Sequence, residues 1–210
     1  GFFFIFIISA ITCLSLLSSG KFFNNTILYK QEKNFFELLI FGIIFLSFLA
    51  LVINFVFSLN PIFNLVFIIF PIFYYIFFQN KYYKNELIKI SIISALVVIL
   101  ISLENTNRPD AGLYHLPFIN ILNENNLIVG ITNLHFRFGH ISILQYISAI
   151  FNNLIYGSNG ILIPPAIFFL SLIGYFFHNL LNKKEDNLIQ YFSFVFLSYC
   201  LINMNRYSSC

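Results

Sequence analysis

The chain has 210 residues, 59% of them hydrophobic and 9% charged, with a formal net charge of +3 and a mean hydropathy of +0.86. A soluble domain carries roughly 25% charged residues, and one of this length could not wet its surface with so few. A net charge this small, from 11 Lys and Arg against 8 Asp and Glu dispersed along the chain, also excludes a nucleic-acid-binding surface.

A bilayer accommodates this composition. Inside it every backbone polar group must be satisfied within its own segment, which helices do. The long continuous apolar runs lack the period-2 alternation of a membrane β-barrel. The fold class expected is therefore all-α: a polytopic transmembrane bundle of about six spans with an outward-facing polar loop. The three cysteines, Cys13, Cys200 and Cys210, form no metal or redox spacing, and the two in or beside predicted spans read as small apolar fillers. Both ends lie in or beside apolar runs, so a piece of a longer protein is expected.

In chain order, residues 2–18, 35–58, 61–79, 86–103, 161–181 and 188–203 are apolar for about the length of a span. Pro61 suits the first turn of its helix, Pro71 predicts a kink inside the third run, and Pro164 and Pro165 fall near the start of the fifth. Residues 138–156 are apolar enough to tempt, but the stretch carries His140, Gln145, Asn152 and Asn153. Lysine-bearing short loops stay cytoplasmic. If 138–156 does not cross, the loops holding Lys21, Lys30 and Lys33, Lys81 and Lys84, and Lys183 and Lys184 share one side. An interfacial or re-entrant amphipathic helix is expected there. The organisation is then residues 1–103 as N-terminal spans, 104–160 as an extracytoplasmic loop with interfacial helices, and 161–210 as C-terminal spans.

The 104–160 segment gathers Glu104, Arg108, Asp110, Glu124 and Arg137 with His115, His135 and His140. Polar side chains held against a rigid apolar scaffold are where function concentrates. Asp110 reads either as the N-cap of a helix starting at Ala111 or as a general base or metal ligand at the membrane surface. Arg108 and Arg137 are interfacial anchors or bidentate forks for a phosphate. His115 and His135 are polar residues at a wet interface or ligands to a metal, without a standard zinc spacing. Leu134 to Phe138 alternates apolar and polar, which would show His135 and Arg137 on one face if extended but not if helical. Tyr114 and Tyr207 suit an interface. No P-loop, dinucleotide fingerprint or zincin motif is present.

The run Asp110-Ala111-Gly112-Leu113-Tyr114-His115, then Gly130 to Gly139, then Asn205-Arg206-Tyr207, resembles a family of large multi-pass bacterial membrane proteins. Its members carry D-x-G-L-Y-H, G-x-x-N-L-H-x-R-x-G and later N-R-Y elements. The family often has a second Gly where this chain has Thr132. Its layout is similar to that of the GT-C glycosyltransferases. The resemblance implies a glycosyltransferase in the bacterial inner membrane, using a polyprenyl-phosphate-linked sugar on the outer face. It implies Asp110 as the base, with a divalent cation as the cofactor such a carboxylate could hold. Tyr114, His115 and His135 would line the substrate site, and Arg108, Arg137 and Arg206 would hold the phosphate. Membrane lipid is the implied partner and nucleic acid is excluded. A non-catalytic membrane subunit and a transporter or flippase of lipid-linked glycans are the rival readings. Ionisable residues deep inside spans would favour a transporter, and the predicted spans are almost free of them, with His178 the nearest to an exception.

Overall fold

A computed structural model describes residues 1–29, 33–78, 83–103, 111–139, 142–153, 156–182 and 186–207. Among these the secondary structure is entirely helical. The helices are α1 (Phe2–Thr26), α2 (Phe35–Asn54), α3 (Pro61–Phe78), α4 (Tyr83–Leu103), α5 (Leu116–Glu124), α6 (Ile143–Phe151), α7 (Ile163–Leu181) and α8 (Asn187–Tyr207). Four of them, over Phe2–Thr26, Phe35–Asn54, Lys84–Leu103 and Ile163–Leu181, are long and apolar enough to cross a bilayer. Two shorter apolar helices cover Pro61–Phe77 and Asn187–Ile202.

α1 is the hub, packed on α2, α3, α4 and α7. Its interior face is polar by composition, yet the hydroxyls of Thr12, Ser18 and Ser19 donate to the carbonyls of Ile8, Leu14 and Ser15 at 2.7–2.8 Å. Satisfied within their own helix, small polar residues let neighbouring backbones come close. The closest approach is to α2. A Cβ on Gly20 would lie 1.8 Å from the Leu38 carbonyl oxygen, and one on Gly42 would lie 1.8 Å from that of Leu16. At Gly174 in α7 the obstacle is instead the Phe36 ring, 2.3 Å from such a Cβ.

Local chemistry sets the helix starts. Asn34 and Glu37 form a reciprocal capping box at α2, with bonds of 2.8 and 2.9 Å. The Asn60 side chain accepts from the amides of Ile62 and Phe63, both at 3.1 Å, just ahead of Pro61 in α3. Pro71 lies inside α3, which is helical on both sides of it. Pro164 and Pro165 occupy the first turn of α7, where a missing N–H is harmless.

Two boundaries differ from the sequence reading. α1 runs on to Thr26, eight residues past the expected end at 18, and so takes Lys21, Asn24 and Asn25 into the bundle. Lys21 does not terminate the span because Glu86 of α4 neutralises it: Nζ lies 2.6 and 2.7 Å from the two carboxylate oxygens. The Tyr75 hydroxyl donates to the same carboxylate, and Lys21 sits 4.7 Å over the Tyr75 ring. This charge pair lies at a helix end, with Glu86 in the first turn of α4. The second difference is α6, which has nine residues and so a length of about 14 Å, against roughly 30 Å of hydrocarbon. As a helix it is too short to cross. It is not a surface helix either, because Gln145 to Phe151 are all buried, enclosed by α2, α3, α5 and α7.

Candidate functional site

The polar segment is mounted on the bundle by asparagines. Asn54, at the end of α2, donates to the carbonyls of Leu122 and Asn125 at 3.4 and 3.1 Å. Asn64 of α3 donates to Leu59 and Ala149 at 2.9 and 3.0 Å. Asn123 of α5 reaches the same two carbonyls at 2.7 and 2.9 Å and accepts from Asn152 at 2.7 Å. Backbone bonds from Leu59 to Leu122 and from Leu127 to Asn54, at 2.9 and 2.8 Å, complete the joint. Asn side chains can satisfy carbonyls at the ends of short helices, where intrahelical donors have run out. This bundle end is thereby made rigid, and α5 and α6 with it.

On that support the segment turns tightly. Residues Ala111–His115 form a single π-helical turn that runs directly into α5. Ile131–Asn133 and Phe136–Gly139 are 3₁₀ turns. The alternating Leu134–Phe138 stretch is therefore helical in its second half and not a strand. Gly130 enters the first turn at φ 81°, the left-handed region that glycine tolerates. Phe138 packs against Phe118 of α5 at 6.0 Å, and Phe118 meets Tyr146 of α6 edge-on at 6.5 Å. This aromatic chain brings the 3₁₀ turns back onto the helices.

The result gathers four of the expected site residues. The Arg137 guanidinium lies 5.1 Å from the centre of the Tyr114 ring and 5.8 Å from that of Phe136. Cation–ring contacts of this kind are worth about 0.5–1 kcal/mol at exposed sites. The Tyr114 ring in turn meets that of His115 at 4.2 Å. His115 Nδ1 is 2.9 Å from Gln145 Nε2 on α6. His135 packs against Phe136 and Phe138 at 5.2 and 5.6 Å, and its Nδ1 accepts from the backbone N–H of Arg137 at 3.3 Å. Tyr114, His115, His135 and Arg137 are all half-buried, so they are held in place and still reachable.

Asp110 and Arg108 lie outside the described residues. Arg206 falls within α8, with its side chain outside them. Among the described residues no three His, Cys, Asp or Glu side chains gather in a way that could hold a metal ion. Two buried phenols are not bases at neutral pH: burial raises Tyr146, and it pushes Tyr156, which packs on Phe151, up to about 12 against a lowering contribution from the Thr12 hydroxyl.

Sequence reasoning missed Gln145, the asparagine joint and the Lys21–Glu86–Tyr75 cluster. The Gln145 signal was available: Ser142 followed three residues later by Gln145, ahead of an apolar run, is a capping-box pattern. The Lys21–Glu86 pairing spans 65 residues and leaves no local trace.

A family model for the Domain of unknown function (DUF8201) matches residues 2–210, and the chain belongs to that family. The match runs from α1 through the polar segment to α8. No curated protein and no solved structure matches the chain.

Proposed function

We propose that this member of the family is the membrane-embedded part of a GT-C-like glycosyltransferase. Its reaction would be transfer of a sugar from a polyprenyl-phosphate donor on the outer face of a bacterial inner membrane. The observation that carries the reading is the Arg137–Tyr114–His115 cluster: a cation and polar rings, half-buried on a rigid joint at one end of an apolar bundle. A lipid phosphate has its head at such a boundary and its chain in hydrocarbon, so a site at a bundle end suits it. Guanidinium binds phosphate bidentately.

The reading takes α3 and α8 as crossing helices beside the four longer candidates, giving six. Their 18 and 21 residues amount to about 27 and 32 Å, close to a hydrocarbon core. With α6 folded back, the lysine-bearing loops share the cytoplasmic side and the polar segment faces outward. Asp110 is the base in this scheme, and Arg108 and Arg206 are further phosphate contacts. Transfer from polyprenyl-phosphate sugars, assayed with the full-length protein in membranes, tests it. Asp110→Asn keeps size and capping while removing the base, and turnover should fall by about 10²–10⁴. Wild-type turnover in that variant would leave Asp110 as a helix cap.

The Lys21–Glu86 pair favours a second reading. Ionisable residues among membrane helices mark transport pathways, which suits a flippase of lipid-linked glycans. Flipping in proteoliposomes that persists when Lys21→Met and Glu86→Leu are combined would remove the support this pair gives it.

A further inference from the structure

The hydrogen bonds around His115 and His135 fix where their protons are. At the start of α6 the backbone N–H of Ser142 points at Gln145 Oε1, 3.0 Å away. That N–H can only donate, so the atom facing it is the amide oxygen. The amide NH₂ is left facing His115 Nδ1 at 2.9 Å, and it too can only donate. Turning the amide over would set two donors against each other at Ser142. His115 Nδ1 therefore accepts, and the neutral ring carries its hydrogen on Nε2. His135 reaches the same state by another route, because its Nδ1 accepts from the Arg137 backbone N–H. No described residue hydrogen-bonds to either Nε2.

We propose that Gln145 is a positioning residue that holds His115 as its Nε2–H tautomer, and that His115, His135 and Arg137 together take the oxygens of a phosphate ester as ligand. The tautomers decide the class. Two neutral N–H donors and one guanidinium offer a ligand hydrogen atoms and positive charge, which suits an oxyanion. A metal would need the Nε2 lone pair, hence a hydrogen on Nδ1, where Gln145 and the Arg137 amide already point hydrogens. This excludes the metal-ligand reading of the two histidines and rests, for the ligand, on taking the cluster as the substrate site.

The test uses the full chain in nanodiscs with ¹⁵N-labelled histidine, with His115→Asn and His135→Asn to assign the two rings. In the wild type both rings should show a bare Nδ1 and a protonated Nε2. An Nδ1–H ring at position 115 overturns the proposal whatever the protein catalyses. Gln145→Glu keeps an oxygen for the Ser142 N–H but presents a second one to His115, so that ring should move its hydrogen to Nδ1 while His135 stays unchanged. An unmoved His115 overturns the role of Gln145. If the variant fails to fold, the wild-type spectrum still decides the tautomer.

Inorganic phosphate is then titrated in phosphatidylcholine nanodiscs, and phosphatidic acid is introduced in parallel. A shift at both Nε2 atoms with phosphate alone identifies a free phosphate ligand, and a shift only with phosphatidic acid identifies a lipid headgroup. A shift in neither arm overturns the ligand assignment. Gln145→Glu should weaken the responding arm about tenfold or more, the effect of losing one hydrogen bond to a charged group. Failure of sugar transfer with these tautomers intact would tell against the catalytic reading alone.

Discussion

The two ends of the bundle hold their polar side chains by different kinds of contact. At one end Lys21 and Glu86 close on each other, with Tyr75 donating to the carboxylate and lying under the ammonium. At the other end Arg137 lies against ring faces, and the histidines are held by donors that carry no charge. An ammonium bonded to both oxygens of a carboxylate has spent most of its attraction internally. Imidazoles oriented by an amide and a backbone N–H keep their second nitrogen for something else. Position along the bundle does not separate a clamp from a site; the kind of partner does.

The largest effect should come from the clamp. Lys21→Met leaves a carboxylate without its cation in a low-dielectric setting, at a cost of about 3–5 kcal/mol, whereas Lys21→Met combined with Glu86→Leu should recover most of it. Unfolding in detergent of the two single variants and the double variant measures this. Single variants within a few tenths of a kcal/mol of wild type would mean that the pair is solvated and no clamp.

Next comes the asparagine joint. Asn123→Ala removes the donor shared by the Leu59 and Ala149 carbonyls, although Asn64 still serves both. About 1–3 kcal/mol is expected, with faster amide exchange in α5 and α6 and none around Lys21. Uniform loosening across both ends would erase the contrast drawn here. Topology sharpens it differently. In a background free of reactive thiols, cysteine at Val129, 92% exposed, should label from outside, and cysteine at Tyr29, 89% exposed, only after permeabilisation. Labelling of both from one side would place the clamp and the cluster on the same face. The smallest effect should be Tyr114→Leu, which loses the ring under Arg137 at a cost of about 0.5–1 kcal/mol, read as a modest weakening of phosphate response rather than of fold.

Helix existence was legible because the apolar runs are long and unbroken, and Pro61, Pro164 and Pro165 marked starts that the structure keeps. That 138–156 is no span was expected from the lysine distribution alone, and the helix found within it, α6, has only nine residues. What failed to show was anything requiring distant partners. Lys21 looked like a loop residue because a lone lysine normally ends a span; only Glu86 makes it an interior one. Asn54 and Asn64 fall inside expected spans and Asn123 inside the polar segment, and nothing marks them out, since side-chain-to-carbonyl bonds across 64–85 residues have no periodicity. Among the candidate residues that the structure brings together, His115, His135 and Arg137 stood out by the concentration of polar side chains in a charge-poor chain, and Tyr114 as an interfacial tyrosine. Gln145 was passed over as mere polarity in a doubtful helix.

The contact between α1 and α2 has a consequence for how this chain can change over time. At Gly174 the blocking atom belongs to the Phe36 side chain, so a larger residue there can be rescued by a smaller one at position 36. At Gly20 and Gly42 the blocking atoms are main-chain oxygens of Leu38 and Leu16, which every amino acid possesses. No second-site substitution removes them. Two letters of the sequence are thus locked without help from any neighbour's identity, and a saturation library should show Gly174 as a conditional position and Gly20 and Gly42 as absolute ones.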